Sequence, residues 1–208
     1  MYADRIQGAA FGAADSLSGV TKSVPSVKMI VARRIFMERL IDIHKADDSE
    51  KELLISMWLR RTAYLKEINN PMWNPEQFSF DSLNEKYGNP GYFIGYADGR
   101  PFGGFLLIEY DERYWPGRKE RAYYFHKFVI DEKFGGQGLS GVILQWVQAY
   151  GVRNGKEYIR LDFEEEREYL KKLYYGNGFR KTGVVTDSNG KEITLAEYKI
   201  HESGCLPA

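Results

Sequence analysis

A glycine-rich turn that opens a helix is the feature that most constrains how this chain folds. The turn Gly135-Gly136-Gln137-Gly138 precedes apolar side chains at the spacing of one helix face, namely Leu139, Val142, Ile143, Trp146, Val147 and Tyr150. Asn154-Gly155 predicts the end of this helix. A helix that begins on small residues presents backbone N–H groups to an anion. The alternative is that the glycines serve only a tight connection between a strand and the helix.

The composition predicts one soluble globular domain. Of the 208 residues, 43% are hydrophobic and 28% are charged. Lys plus Arg and Asp plus Glu both number 29, so the chain has no net positive charge that would gather nucleic acid. No apolar run approaches the roughly 18 to 20 residues that cross a bilayer. We therefore expect neither a nucleic-acid partner nor a membrane partner.

The two ends of the chain differ in composition from its middle. Residues 1–28 are rich in Gly, Ala and Ser and lack the pattern of a signal peptide. We expect a flexible extension over residues 1–36, the domain over 37–201 and a tail over 202–208, with Met29 and Met37 as alternative natural starts. The single cysteine, Cys205, excludes an internal disulfide and suits a reducing cytoplasm, so we expect cytoplasmic localisation.

The first half of the domain predicts a strand and two helices. Residues 40–44 alternate apolar and polar side chains, which predicts a strand. Ser49 with Glu52 predicts a capping box at the start of the first helix. Asn74-Pro75 predicts a second helical start, and that helix runs towards Gly88.

The middle and end of the domain predict further strands. Residues 92–97 and 102–110 flank a turn and predict a hairpin. Residues 121–130 carry aromatic and branched side chains on both faces, as in a central strand. The rest predicts a strand, a short helix and a closing hairpin, at residues 158–162, 164–175, and 180–186 with 193–200.

The glycine turn also matches a dinucleotide-binding pattern. Residues 136–141 satisfy G-x-G-x-x-G, and Asp162 follows at a strand end. However, six positions separate Ile130 from Gly136, whereas a dinucleotide turn leaves its strand almost at once. Only 46 residues follow Asp162, and hairpins rather than alternating strands and helices precede the turn. These features disfavour a dinucleotide-binding domain.

The segment around the turn resembles a known family. Residues 124–140 resemble motif A of the GNAT family of N-acetyltransferases, and Arg160-Leu161-Asp162 with residues 170–179 resemble its motif B, about 33 residues downstream. Segments 62–73 and 111–116 are similar to poorly characterised bacterial members, so the resemblance covers roughly residues 37 to 201. Three positions depart from the family pattern, namely Gly135 for Arg or Gln, Ser140 for Gly or Ala, and Arg167 for an asparagine that contacts the cofactor.

This resemblance implies a fold and an activity. The fold is α/β, with a mixed, mostly antiparallel central sheet of about six to seven strands, about four helices and splayed central strands that form the acyl-CoA cleft. The activity is transfer of an acetyl group from acetyl-CoA, the co-substrate, to a primary amine of a small molecule or peptide by direct attack, without a metal. A monomer or a homodimer is expected. The alternative is a non-catalytic acyl-CoA-binding regulatory module, which the altered positions 135 and 167 keep open.

The resemblance also implies the residues that bind the cofactor. Backbone groups of Phe128 and Ile130 would hold the pantetheine arm, and the N–H of Val129 or Ile130 would lie near the thioester oxygen. The glycine turn would bind the pyrophosphate mainly through backbone N–H groups. The full implied set is Phe128, Val129, Ile130, Phe134, Gly135, Gly136, Gln137, Gly138, Leu139 and Ser140.

Catalysis requires a proton donor and a proton acceptor. Tyr174 matches the tyrosine that commonly protonates the coenzyme A thiolate, and its alternative is a core tyrosine beside two leucines. His126, Glu109 and Asp162 lie on strands that could face the cleft, and each is a candidate base. His126 is preferred because it titrates near neutral pH, although strand histidines are often satisfied structural residues.

The acceptor side carries weaker signals. Trp73, Tyr114 and Trp115 lie in loops and are candidates for lining the acceptor pocket, with core packing or lid closure as the alternative. The run Glu164-Glu165-Glu166 could attract a cationic amine. Its alternative is a solvated helix start that the helix dipole favours.

Overall fold

Seven strands form one sheet in residues 40–200, the part of the chain that this computed structural model describes. The strands are β1 (Ile41–Lys45), β2 (Gly91–Ala97), β3 (Arg100–Ile108), β4 (Ala122–Ile130), β5 (Tyr158–Glu164), β6 (Arg180–Thr186) and β7 (Glu192–Lys199). The helices are α1 (Asp48–Glu67), α2 (Phe80–Tyr87), α3 (Leu139–Arg153) and α4 (Glu168–Gly176), with short 3₁₀ turns at Pro75–Gln77 and Glu132–Phe134. The predicted extension, the tail, Met29, Met37 and Cys205 lie outside the described residues.

The strand order of the sheet is β1-β2-β3-β4-β5-β7-β6. Only the pair β4–β5 is parallel, and every other pair is antiparallel. This order confirms the predicted mixed, mostly antiparallel sheet with four helices, and it lacks the run of parallel strands that a dinucleotide-binding domain needs. None of the helices in residues 40–200 is long and apolar enough to span a membrane.

Helix α1 begins earlier than the sequence pattern predicts. The predicted capping box, Ser49 with Glu52, is wrong, because Asp47 is the N-cap and Glu50 completes the box. The Asp47 carboxylate accepts from the Glu50 N–H at 2.9 Å, and Glu50 accepts from the Asp47 N–H at 3.0 Å. Ser49 instead donates its hydroxyl to Asp47. Asp47 rather than Ser49 is the N-cap because an ionised carboxylate oxygen is a stronger hydrogen-bond acceptor than a hydroxyl oxygen.

Two other helix starts also differ from prediction. The start at Asn74 is only a 3₁₀ turn, and α2 begins separately after the N-cap Ser79. The helix predicted from residue 164 begins at Glu168, because β5 continues through Glu164 in register with Ile193 of β7. A strand partner distant in sequence thus overrides the local helical pattern.

Helices cover both faces of the sheet. One core packs side chains of α3 and α4, such as Ile143 and Tyr174, against β3, β4 and β5. A second core packs Leu54 and Trp58 of α1 and Leu83 of α2 against the opposite face. The domain is therefore a three-layer α/β/α arrangement.

A β-bulge in β4 decides which side chains face each layer. Gly104 pairs with Val129 and Leu106 pairs with His126. Phe105 of β3 therefore lies opposite two residues of β4, Lys127 and Phe128. Lys127 has a φ of 52°, and its carbonyl accepts the Trp58 indole N–H at 2.6 Å. The extra residue shifts by one position the alternation of β4 side chains between the two faces of the sheet. As a result, residues 128 and 130 join the α3 core although His126 faces the other way.

The parallel strands β4 and β5 separate soon after they begin. They pair only from Ala122↔Tyr158 to Tyr124↔Arg160. From Phe125 onwards the β4 edge that faces β5 has no strand partner, whereas its opposite edge remains paired with β3. The sheet therefore contains a cleft at its centre.

Close packing at the bulge leaves no room for a side chain at Gly104. A Cβ there would lie 2.3 Å from Leu54 Cδ2 and 2.4 Å from the Phe93 carbonyl oxygen. We expect Gly104→Ala to lower the free energy of unfolding by about 2 kcal/mol, measured by urea unfolding. The control is Gly183→Ala in β6, where no heavy atom lies within 4 Å of the added Cβ. Equal stability losses in both variants would contradict tight packing at the bulge.

Candidate active site

A cavity of about 910 Å³ opens where β4 and β5 separate. One side of it reaches Ile130 at the end of β4, Gly136 in the glycine turn and Ser140 at the start of α3. The other side reaches Trp73 and Tyr114 in the loops that precede α2 and β4. The cavity therefore runs through the sheet, from the glycine turn to the loops predicted to bind the acceptor.

The glycine turn adopts a conformation that favours glycine. Gly136 and Gly138 have φ values of 72° and 76°. Gly138 is the N-cap of α3, which has neither a side-chain cap nor an acidic residue in its first turn. The N–H groups of Leu139 and Ser140, which have no intrahelical partner, therefore fit a phosphate, whereas the Gly141 N–H donates to the Gly138 carbonyl at 3.1 Å. Gly135 differs, because its φ of −58° suits any residue and nothing in its backbone requires glycine.

The structure brings half of the predicted cofactor residues to the cavity wall. These are Phe128, Val129, Ile130, Gly136 and Ser140. Phe134 and Gln137 instead line a smaller neighbouring pocket, and Leu139 is buried in the core of α3. Gly135 and Gly138 shape the turn without lining the cavity.

Tyr174 lines the cavity from α4 and keeps its proton at neutral pH. Its side chain is 6% exposed and packs against Phe163 and Phe179, with ring centroids 5.2 and 5.9 Å away. Burial raises the pKa of the phenol well above its usual value, and the nearby charge of Asp162 adds to the increase. The phenol is therefore a proton donor rather than a base.

His126 lies between two carboxylates. Its Nε2 is 3.3 Å from Asp111 Oδ2, and its Nδ1 is 3.3 Å from Asp162 Oδ2. The histidine is 8% exposed, lines the cavity and packs against the Tyr87 ring at 5.0 Å. Neither Nε2 nor the two carboxylate atoms make a regular hydrogen bond within residues 40–200. These buried atoms can therefore bond to a molecule in the cavity.

The pKa values of the two carboxylates shift in opposite directions. Burial raises the pKa of Asp162, an effect that the charge of His126 opposes. Burial acts in the same direction on Asp111, but its contact with His126 and the N–H groups of Arg113 and Tyr114 outweigh burial and lower its pKa. The surroundings therefore favour the charged form of Asp111 and disfavour that of Asp162.

The same three side chains could approach a metal ion, since their ligand atoms lie within 4.8 Å of one another. A metal binds one imidazole nitrogen, with the carboxylates around the same point. Here Asp111 and Asp162 lie at opposite nitrogens of the ring. The three side chains are therefore better placed to pass a proton between the imidazole and a carboxylate than to coordinate a metal ion.

Two predicted site residues lie elsewhere. Glu109 is 69% exposed on its side chain and pairs with Lys156 at 2.7 Å. It follows the end of β3 at Ile108 and is not among the residues that line the cavity. Trp115 is 2% exposed and packs on Tyr124, with ring centroids 6.1 Å apart. The predictions of a base at 109 and of an acceptor contact at 115 are not supported by this placement.

Two of the three glutamates in the run, Glu164 and Glu165, are paired with cations, whereas Glu166 is exposed, and the run lies before α4 begins. Glu164 accepts from Arg167 and from Lys191, whose Nζ is 2.6 Å away. Glu165 accepts from Lys181 at 3.0 Å and from the Thr194 hydroxyl. Both carboxylates are therefore occupied, and they fasten β5 to the closing hairpin.

Arg167 links the loop after α1 to the start of α4. It is 5% exposed, and all three guanidinium nitrogens have partners, at Glu164, Asn70 Oδ1 and the Pro71 carbonyl. The last two distances are 2.7 Å. Arg167 thus anchors the loop after α1, which leads to Trp73, to the start of α4.

Sequence reasoning missed several residues that line the cavity. Asp111 was part of a matching segment but not a predicted site residue. Lys127 lines the cavity too, and its Nζ donates to Gln77 and lies 5.4 Å from the Trp73 ring centroid. A lysine within the aromatic and apolar run of β4 was the available signal. The bulge that buries it has no local sequence signature.

Comparisons with known proteins agree with the geometry. Residues 57–179 match the model of the acetyltransferase (GNAT) family. The match spans more than half of the chain and includes the second half of α1, the splayed strands, the glycine turn and α4. The chain belongs to the GNAT acetyltransferase family.

One relative and two solved structures illustrate the similarity. The uncharacterised N-acetyltransferase YesJ of Bacillus subtilis (strain 168) is 32% identical over 92 residues, or 41% of this chain, and the chain spans about half (50%) of that protein's length. A GNAT-family acetyltransferase from Listeria monocytogenes superposes with a TM-score of 0.60 at 23% identity, covering 76% of this chain and 94% of the other. The yncA acetyltransferase of Salmonella typhimurium, a putative enzyme by its description and solved with its cofactor acetyl-CoA, gives 0.57 at 14% identity, covering 81% and 99%.

Lys127 makes the stability of the fold depend on pH. Burial lowers its pKa to about 7, the charges of Lys86 and Arg113 add to this effect, and Asp162 opposes it. Between this value and the ordinary lysine pKa near 10.4, the unfolded chain binds one more proton, so stability increases with pH. We expect wild type to gain up to about 1.4 kcal/mol per pH unit relative to Lys127→Met between pH 7 and 9.

Urea unfolding at pH 7, 8 and 9 measures this difference. Lys156→Met is the matched control, since Lys156 also lies over an aromatic ring, at 4.5 Å from the Tyr123 centroid, but outside the cavity. A stability difference between wild type and Lys127→Met that stays constant with pH would contradict the lowered pKa.

Proposed function

We propose that this protein transfers the acetyl group of acetyl-CoA to a primary amine of a small molecule or peptide by direct attack. The observation that supports this proposal is that a proton acceptor, His126, and a proton donor, Tyr174, line one cavity between the splayed strands. The two residues reach it from opposite layers, His126 with the α1 side and Tyr174 within the α3 core. Family membership supports the same reaction class.

The residues of this chain fit acetyl-CoA. The uncapped start of α3, with Gly136 and Ser140 on the cavity wall, would hold the pyrophosphate through backbone N–H groups. The unpaired edge of β4 from Phe128 to Ile130 would hydrogen-bond the pantetheine amides, as a strand partner does. Acetyl-CoA supplies the acetyl group and a thiolate leaving group. A related structure, yncA, is described with acetyl-CoA as its cofactor.

Proton transfers at two residues complete the reaction. His126 takes a proton from the acceptor's ammonium group, and Asp111 stabilises the resulting imidazolium while Asp162 lies at the other nitrogen. The neutral amine nitrogen then attacks the thioester carbonyl, forming a C–N bond as the C–S bond breaks. Tyr174 donates its proton to the departing sulfur. The attacking nitrogen loses its second proton to solvent as the amide forms. Solvent also returns a proton to Tyr174 and removes the one on His126, so the products are an N-acetyl amine, free coenzyme A and one proton.

The β4 backbone also offers stabilisation for the oxyanion that forms during the attack. The N–H of Val129 or Ile130 belongs to the strand that lines the cavity, and placed N–H donors of this kind are worth about 2.7 to 4 kcal/mol in a transition state. The same edge that binds pantetheine would therefore polarise the carbonyl. A non-catalytic acyl-CoA-binding module would share the binding edge but would release no thiol.

Tyr174→Phe tests the proton donor. We expect kcat to fall by about 100-fold, since general acid catalysis contributes roughly 10² to 10⁴. Coenzyme A affinity should change little, because the variant keeps the buried ring. The measurements are thiol release from acetyl-CoA with a panel of primary amines, and calorimetric binding of coenzyme A. Unchanged kcat would remove Tyr174 from the mechanism, and thermal stabilisation by NAD but not by coenzyme A would contradict the proposed function.

His126→Gln tests the proton acceptor. We expect kcat/KM to fall by about 100-fold at pH 7 and to recover partly at high pH, where more of the amine is already neutral. Wild type should show no such recovery. Glu109→Gln is the matched control, because this side chain lies outside the cavity. An equal effect of both substitutions, or a parallel pH dependence in wild type and His126→Gln, would show that His126 is not the base.

A further inference from the structure

Three cationic side chains on the acceptor side of the cavity have no carboxylate partner. Lys86, Arg113 and Lys127 all line the cavity. None of them forms an ion pair with a carboxylate within the described range 40–200. Each lies over an aromatic ring instead, with centroid distances of 5.2 Å for Lys86 to Tyr87, 5.2 Å for Arg113 to Tyr114 and 5.4 Å for Lys127 to Trp73. The rings orient the cations without neutralising them.

Four other charged groups that line the cavity have close partners. Arg167 has a partner for every guanidinium nitrogen, and Glu164 is bound by two cations. Asp111 and Asp162 lie against His126 rather than against a lysine or arginine. Arg61 also lines the cavity without an ion pair among residues 40–200, and it lies over the Tyr64 ring. The acceptor side thus combines a histidine held between carboxylates with cations that form no ion pair.

The three cations also affect one another. The charge of Arg113 lowers the pKa of Lys86, after burial, and the charges of Lys86 and Arg113 lower the pKa of Lys127, again after burial. Asp162 opposes both shifts but does not cancel them. The mutual repulsion of such a cluster of like charges is relieved when an anion binds among them, because the anion supplies an opposing Coulomb attraction.

We propose that the acetyl acceptor is an amine that also carries an anionic group, a carboxylate or a phosphate, and that Lys127, Lys86 and Arg113 bind that group. This inference rests on the proposed function. His126 and Lys127 are consecutive in β4, and consecutive Cα atoms are about 3.8 Å apart. One small molecule can therefore place its amine at His126 and its anionic group at Lys127. Polyamines are disfavoured, since they would add positive charge to the cluster.

The test compares acceptors that differ only in the anionic group. Acetyl transfer is measured for L-amino acids beside their carboxamides, for O-phosphoethanolamine beside ethanolamine, and for spermidine. We expect kcat/KM to be at least about tenfold higher for the anionic member of one pair, since a charged hydrogen bond of about 1.5 kcal/mol corresponds to that ratio. The pair that shows the preference identifies the anion as a carboxylate or a phosphate.

Two variants test whether Lys127 and Arg113 cause the preference for the anionic acceptor. Lys127→Met and Arg113→Met should each raise KM for the anionic acceptor by about tenfold, leave kcat within about threefold and reduce the preference over the neutral partner. Lys156→Met, which removes a ring-stacked lysine outside the cavity, should leave the preference unchanged. Because the wild-type comparison needs no variant, the inference remains testable if one substitution prevents folding.

The outcomes separate this inference from the proposed function. Equal transfer to charged and neutral acceptors, or faster transfer to spermidine, overturns the anionic acceptor and leaves the acetyltransferase proposal standing. A preference that persists in both Lys127→Met and Arg113→Met overturns the assigned binding residues. No thiol release with any amine, although coenzyme A binds, contradicts the proposed function and the inference together.

Discussion

The β-bulge at Lys127 is the local constraint on which the cleft depends. A regular strand would place the side chains of residues 126, 128 and 130 on one face of the sheet. The extra residue lets His126 face Asp111 and Asp162 while Phe128 and Ile130 pack with α3. A non-glycine residue at positive φ costs roughly 1 to 3 kcal/mol. The Trp58 indole on the Lys127 carbonyl and the close packing at Gly104 hold the chain in this conformation.

Burial shifts the pKa values of several groups that line the cavity. Removal from water raises the pKa of Asp162 and of Tyr174, and it lowers the pKa of Lys127 to about 7. These opposite directions have one cause, because a low-dielectric site disfavours the charged form of acids and bases alike. The cavity thus contains a lysine that exchanges its proton near neutral pH beside a phenol that retains its proton. The three cations lie over aromatic rings, and His126 lies between two carboxylates.

Local signals predicted much of the fold and part of the site. The apolar stripe after Gly138 is helix α3, and the hairpins and central strand are present within a few residues of their predicted bounds. Where predictions failed, a distant partner decided the outcome. The pairing of Glu164 with Ile193 extends β5 through a segment with a helical pattern. Burial against Tyr124 removes Trp115 from the acceptor pocket, which its position in a loop does not reveal.

The sequence by itself determined the helix that begins after the glycines and the order of strands and helices, because local spacing predicts both. It also indicated His126 and Tyr174 as candidate site residues, because both lie in motifs that resemble those of the family. Only the tertiary structure decided which charges meet. Asp111 approaches His126 from the loop after β3 and Asp162 from within β5, and Arg167 is bound by residues almost one hundred positions earlier. Such contacts depend on where strands separate and where one residue bulges, and burial then sets their charge states. No short-range pattern encodes either.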